Sequence, residues 1–303
     1  ICTSLTTAPE LPDATLARYC YYLMFAQCTN LIQAPELPAT TLAERCYSYM
    51  FSGCTSLTQA PELPATELAY YCYSNMFKDC TSLTTAPELP ATTLAEHCYH
   101  SMFHNCTSLV TAPELPATTL ADGCYQWMFS GCTNLTQAPA LPATTLTKNC
   151  YDNMFYNCTS LDSVTCLATN ISASNCTSAW VYGVAPTGTF VKHPNMNDWV
   201  IDSVNGIPTG WTIEDAEIPI TFTAQEDNSS IGLTRLSTNQ TLEYSMDTTN
   251  WNTFDTTTNI SLNNGDSVYV RGMLNGDNTS SDWTQFNMSG KIAASGNCNA
   301  IWN

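Results

Sequence analysis

Residues 80–105 read CTSLTTAPELPATTLAEHCYHSMFHN, and this stretch decides the fold because close copies of it fill about half of the chain. The copies start every 26 residues, and two series of cysteines keep their register. One unit of this length cannot cover its own apolar residues, so a fixed period predicts a solenoid in which each repeat packs on its neighbours. The two series are Cys2, Cys28, Cys54, Cys80, Cys106, Cys132 and Cys158, and Cys20, Cys46, Cys72, Cys98, Cys124, Cys150 and Cys176.

Each unit has two halves with different patterns. In the second half, apolar residues from Leu94 to Cys106 recur three and four residues apart, which predicts a helix of about three turns. In the first half, Pro87 and Pro90 interrupt a short Thr-rich segment, which predicts only a brief strand. We therefore predict an α/β solenoid of parallel short strands backed by helices.

The repeated run CTSLTxAPELPATTLAxxCYxxMF resembles the BspA-like leucine-rich repeats of Bacteroides surface proteins. The segments 166–176, 188–192 and 206–211 are similar to the way in which such arrays end, so the resemblance covers about two thirds of the chain. It implies a leucine-rich-repeat solenoid, an extracellular or cell-surface location, and adhesion to host matrix components or to other cells. The resemblance supplies no catalytic residues.

Three regions follow from this pattern. Residues 1–157 hold six repeats, and residues 158–216 hold a partial seventh repeat and a C-terminal cap, with a helix expected over roughly Ser172 to Val181. In residues 217–303 short alternating segments separated by turn residues predict a small all-β sandwich, Ig-like in outline. Because Ile1 and Cys2 enter the repeat already in consensus, we expect the natural chain to begin further upstream.

The charge balance excludes several classes of partner. The chain has 8 basic residues against 26 acidic ones, so no cationic surface is available for nucleic acid or for an anionic membrane. It contains neither an apolar run long enough to span a membrane nor a signal peptide. We expect an extracellular or cell-surface protein whose export signal lies outside this sequence, without membrane insertion of this chain.

The cysteines are predicted to be buried free thiols that act as small apolar spacers. On neighbouring helices, equivalent cysteines would exceed the reach of a disulfide, and no C-x-x-C pair suggests a metal site. A bond between Cys166 and Cys176, which leave the regular register, stays open. No cofactor is predicted.

Three sets of side chains are candidate sites. A row of acids is either a ligand or Ca²⁺ site or, as we favour, a set of acceptors for backbone and Thr donors: Glu10, Glu36, Glu62, Glu88 and Glu114. Aromatic residues of the outer face suit protein or glycan contact, although drift after duplication explains them equally well: Tyr22, Tyr49, Tyr70, Tyr71, Trp127 and Tyr156. Three histidines of one predicted helix are a weak metal candidate, and we favour an unconstrained solvent face: His97, His100 and His104.

These patterns predict a non-enzymatic surface or secreted protein that presents its repeats to a protein or glycan partner, as an adhesin does. The alternative is a passive spacer or stalk element of a longer surface or virion-associated protein, with no ligand of its own. No nucleophile is paired with a base in a recognisable motif, so an enzyme is not expected.

Overall fold

The computed structural model describes residues 2–12, 15–236, 241–272 and 285–295. The chain divides into two compact units, Ile1–Ala216 and Glu217–Asn303. The strands of the described residues are β1 (Ser163–Cys166), β2 (Thr189–Lys192), β3 (Thr212–Asp215), β4 (Ile220–Ala224), β5 (Ser229–Arg235), β6 (Leu242–Ser245), β7 (Asn252–Phe254), β8 (Asn259–Leu262), β9 (Ser267–Gly272), β10 (Gln285–Ser289) and β11 (Ile292–Ser295).

The second unit consists of two antiparallel sheets. Their strand orders are β10-β5-β8 and β11-β4-β9-β6-β7. One buried cluster draws side chains from both sheets, including Ile231 and Leu262 from the first and Phe222 and Val268 from the second. The two sheets therefore face each other across a shared core. An Ig-like assignment of this unit stays a prediction.

In the first unit, successive repeats stack in parallel with a spacing of one repeat. Isolated parallel bridges join Gln59 to Thr85, Thr85 to Thr111, Thr111 to Gln137 and Gln137 to Ser163. Where the array ends, the bridges lengthen into a three-stranded parallel sheet in the order β1-β2-β3. The first half of each repeat thus pairs through isolated bridges in most of the array and forms a true strand only near its end.

The second half of each repeat is a run of turns, which we call a turn rung. In rung 4 the N–H of His100 donates to the carbonyl of His97, three residues earlier (3.2 Å). The next N–H, that of Ser101, donates instead to the carbonyl of Gln126 in rung 5 (2.8 Å). This alternation continues along the rung. Rungs 1 to 7 are residues 17–28, 43–54, 69–80, 95–106, 121–132, 147–158 and 173–184.

The predicted helices are therefore absent, and the α/β fold class is wrong. An α-helix bonds each N–H to the carbonyl four residues earlier, whereas here alternate N–H groups bond three residues back or leave the rung altogether. Within the ranges that the structure describes there are strands and turns but no helix. The segment expected to be a helix around Ser172 to Val181 is rung 7.

Every fourth residue of a rung has a positive φ. In rung 4 these are His97 (53°), Ser101 (54°) and Asn105 (60°). The turns that end at Cys98, Met102 and Cys106 carry this residue at their third position, which makes them type II turns, a conformation that favours Gly and Asn there; they alternate with turns such as 97–100, in which the positive φ is at the first residue. Other rungs accordingly place Gly131 and Asn157 at the position of Asn105.

The bonds between rungs all run in one direction. Tyr99 donates to Cys124, Phe103 to Met128 and Asn105 to Ser130, and each distance is between 2.7 and 3.1 Å. In every case the N–H belongs to the earlier rung and the carbonyl to the later one. Since the other N–H groups from the third residue of an interior rung onward bond within their own rung, this part of the backbone is hydrogen-bonded without a helix.

Stacked aromatic columns form the core. Fully buried Tyr rings lie 5.9 to 6.2 Å apart between centroids in a column that includes Tyr99, and Phe rings lie 5.7 to 5.9 Å apart in a column that includes Phe103. Neighbouring rings are close to parallel, so each repeat buries its apolar side chains against identical ones. The columns are Tyr47, Tyr73, Tyr99, Tyr125 and Tyr151, and Phe51, Phe77, Phe103, Phe129 and Phe155.

Tryptophans close the columns at the end of the array. Trp180 contacts the last ring of both columns and stacks on Trp199 with centroids 5.4 Å apart. Its indole N–H donates to the carbonyl of Gly206 (2.9 Å), and Asn205 accepts the N–H of Ala179 (2.9 Å). Where no further rung follows, larger rings thus cover the aromatic columns, and oxygen atoms of Asn205 and Gly206 accept N–H groups of rung 7.

A glycine substitution distinguishes the turn rung from a helix. Ala179 has a φ of 47°, so Ala179→Gly should stabilise the first unit by about 1 kcal/mol, whereas in a helix it would destabilise by about as much. The measurement is urea unfolding of the purified chain. Ala173→Gly, at a position of the same rung without a positive φ, is the control and should lower stability; a loss of stability in Ala179→Gly would contradict the turn assignment.

Candidate functional site

Aromatic side chains of consecutive turn rungs form one surface band, which we call the aromatic row. It contains the six aromatic residues predicted for the outer face, together with five rings that were not predicted to be part of it. Tyr19, Tyr22, Tyr70 and Tyr182 are each at least 39% exposed, and the others are partly buried against their neighbours. The members are Tyr19, Tyr22, Tyr49, Tyr70, Tyr71, His97, His100, His104, Trp127, Tyr156 and Tyr182.

The first segment of the row is a stack of residues at the same position in rungs 1 to 4. The guanidinium of Arg45 lies 5.9 Å from the ring centroid of Tyr19 and 4.4 Å from that of Tyr71. Tyr71 in turn stacks on His97 with centroids 4.6 Å apart and ring planes 16° from parallel. The stack ends at Gly123, which holds the same position in rung 5 and has no side chain. A Cβ atom there would lie only 2.2 Å from Nδ1 of His97. Cation–π and ring stacking thus link four rungs at the surface.

The second segment runs from rung 4 to rung 7. His104 meets Trp127 edge-on at 6.0 Å, Trp127 lies 5.8 Å from Tyr156, and Tyr156 stacks on Tyr182 at 5.2 Å. Rung 4 belongs to both segments through its histidines.

The row combines aromatic and guanidinium groups, which are enriched where proteins contact one another. Sequence analysis missed Arg45 and Tyr19 as members. The available signal was their shared register, because Tyr19, Arg45, Tyr71 and His97 are each 26 residues apart.

The acidic row lies on a different part of each repeat, between its two prolines. The carboxylates are exposed, and successive Ala-Pro-Glu-Leu-Pro arms enclose grooves. Glu10 and Glu36 share a groove of about 590 Å³, Glu36 and Glu62 one of about 500 Å³, and Glu62 and Glu88 one of about 380 Å³. Proline rings and one carboxylate from each arm line every groove, so the walls are partly apolar and partly polar.

These carboxylates lack the partners that we favoured from the sequence. Among the described residues, none of Glu10, Glu36, Glu62, Glu88 and Glu114 receives a hydrogen bond from a backbone or Thr donor, and none forms an ion pair. Nor do the described residues contain a group of three or more His, Cys, Asp or Glu side chains placed to hold a metal ion.

The three candidate histidines lie on turns of rung 4 and are half-buried rather than on a free solvent face. His97 and His100 meet edge-on with centroids 5.8 Å apart, whereas His104 packs on Trp127 instead. Burial lowers the pKa of all three, that of His100 to about 4.

The fifteen described cysteines are free, including Cys166 and Cys176. Five interior thiols are more than spacers: Cys106, for example, donates its S–H to the carbonyl of Phe77 (3.1 Å), and the same bond recurs at four other repeats. Burial raises the pKa of Cys54 to about 12, so these thiols carry no nucleophilic thiolate at neutral pH.

One comparison with known proteins gives a match. The family described as BspA type leucine rich repeat region matches residues 2–110 and 73–177, with six copies. Neither the curated proteins nor the solved structures provide a match. No helix in the described ranges is long and apolar enough to cross a membrane.

Thiol labelling tests the burial of the cysteine series. With iodoacetamide at pH 7.5 under native conditions, Cys2 and Cys20, which are exposed, should be alkylated, and the thirteen buried cysteines should react at least about a hundredfold more slowly. Peptide mass spectrometry reads each position, and labelling in urea is the control for intrinsic reactivity. Rapid labelling of Cys106, or a peptide pair linked through Cys166 and Cys176, would contradict the structure.

Proposed function

The chain belongs to the BspA-type leucine-rich repeat family, and from that premise we propose that it is a non-enzymatic, surface-located binding module of the adhesin type. Its partner is a protein, and the contact surface is the aromatic row. The observation that carries the proposal is the order of the row, because partly exposed rings from all seven rungs lie along one side of the repeats in two segments of contacting side chains, with Arg45 as the link between rungs 1 and 3.

The physical properties of the row support a protein partner. Tyr, Trp and Arg lose little conformational entropy on binding because their neighbours already hold them, and they offer both apolar area and polar tips. Arg45 is fixed between Tyr19 and Tyr71 before any partner arrives. The stacked core behind the row keeps the spacing of successive rungs constant. A partner therefore meets a preorganised surface.

The positions of the reactive groups support a non-enzymatic role. Thirteen of the fifteen described thiols are buried, and five of these donate a hydrogen bond to the backbone carbonyl of a Phe in the preceding repeat. The exposed surface of the repeats is dominated by Thr, Glu and aromatic side chains, which are suited to contact. Surface location rests on the family, whose repeats are typical of surface-associated proteins.

The proposal is tested with a panel of purified, immobilised matrix proteins and a panel of glycans. A variant with Tyr70→Glu, Trp127→Asn and Tyr156→Ser changes the row, and each new residue is one that another repeat carries at the same position: Glu96, Asn153 and Ser130. We expect a panel protein to bind the wild-type chain and the variant to bind it roughly tenfold or more weakly, since contacts of this type each contribute about 2 kcal/mol or more.

The matched control is Ile32→Ser with Val110→Thr, which changes exposed apolar residues outside the row. Its affinity should stay within about twofold of wild type. Absence of binding to every panel member would favour the passive spacer and contradict the proposal. Binding confined to the glycans would contradict the protein partner, and equal losses in both variants would contradict the assignment of the row.

A further inference from the structure

The three histidines of rung 4 are the titratable side chains at the centre of the aromatic row. His97 lies flat between Tyr71 and the backbone of Gly123, and it meets His100 edge-on. His104 packs on Trp127 in the next rung. The two segments of the row both pass through this group.

The Nδ1 atoms of all three histidines are buried and have no hydrogen-bond partner. A neutral imidazole tolerates an unpaired acceptor at modest cost. A proton added there creates a charged donor without an acceptor, which is much less favourable in a buried site. Protonation is therefore coupled to exposure of the ring.

Charged groups from the surrounding rungs do not cancel this cost. Arg45 and Lys78 disfavour protonation, whereas Asp79, Glu96 and Asp122 favour it. Burial is the largest influence on each of the three rings and lowers their pKa values, with that of His100 at about 4.

We propose that His97, His100 and His104 make the aromatic row acid-sensitive, so that their protonation opens rung 4 and breaks the ring contacts that each segment of the row makes with it, those of His97 with Tyr71 and of His104 with Trp127. The loss of partner binding that follows rests on the function proposed above; the opening of the rung does not depend on it.

The direction of the pH dependence follows from linkage. The folded-state pKa values lie below the value of about 6.5 of an unperturbed histidine, so below that pH the opened state binds more protons than the closed one. Stabilisation of the closed rung is complete above pH 6.5 and is lost as the pH falls toward about 4. At pH 5, His100 alone raises the equilibrium constant for opening roughly thirtyfold.

Hydrogen exchange of the full chain tests the opening without a partner. Peptide-resolved protection factors, which correct for the intrinsic effect of pH, are compared between pH 7.0 and pH 5.0. We expect protection in residues 95–106 to fall roughly thirtyfold. Residues 43–54, a rung without histidine, should change less than about threefold and serve as the internal control.

The variant His97→Asn, His100→Gln, His104→Ser removes the titrating groups. Its new residues already occur at the same positions in Asn149, Gln126 and Ser130. We expect the acid response of residues 95–106 to disappear in this variant and to persist in His193→Gln, which changes a histidine outside the row. The single variant His100→Ser should reduce the response and covers the case in which the triple variant does not fold.

Three results would overturn the inference: unchanged protection of residues 95–106 at pH 5.0, an equal loss in every rung, or a full acid response in the triple variant. If no panel member binds but protection of residues 95–106 still falls at pH 5.0, the opening of rung 4 is established and the proposed partner binding is rejected. The two proposals therefore fail on different measurements.

Discussion

The hydrogen bond from an N–H of one turn rung to a carbonyl of the next is the interaction on which the repeat unit depends. It joins residues 25 positions apart, as from His97 to Asp122 and from Phe103 to Met128. Such a bond can recur only if every repeat has the same length, because one inserted residue would shift all later donors away from their acceptors. The strict period of the sequence, the aromatic columns and the surface row are consequences of this requirement.

The sequence predicted the stacking correctly but not the conformation of the second half of the repeat. A period of 26 residues with apolar positions copied in every unit is sufficient to infer a solenoid. The helix was wrong because spacings of three and four residues also arise in a run of turns that repeats every four residues. Cys98, Met102 and Cys106 are each four residues apart. In a helix, which has 3.6 residues per turn, side chains at this spacing would rotate progressively away from a common face. Gly and Asn at many of the positions that recur every four residues, as at Gly131 and Asn157, were a second signal.

The candidate site could be predicted only in part, because the sequence indicates which positions repeat but not the conformation that places them. Outer residues that differ between repeats, such as Tyr70 and Trp127, were recognisable as surface positions from the sequence. The position of Arg45 between Tyr19 and Tyr71 depends on residues one repeat apart lying directly over each other. A helical arrangement would also have placed the rings of His97 and His100 in solvent, so the burial of their nitrogens required the structure. The absence of partners for the glutamates between the prolines results from the geometry of the loop, which secondary-structure propensities do not describe.

The one-way bonds between rungs give the solenoid an electrical polarity. The peptide group that joins Glu96 to His97 has its carbonyl turned toward rung 3 and its N–H toward rung 5. Equivalent peptide groups recur along each rung, so their dipoles add along the stacking axis as they do along a helix, but with the positive pole at the later rungs. The oxygen of Asn205 at the N–H of Ala179 lies at that pole. The aligned peptide dipoles therefore produce an electric field along the stacking axis, which the net charge of the chain does not reveal. An approaching ion experiences a different potential at each end of the stack of rungs.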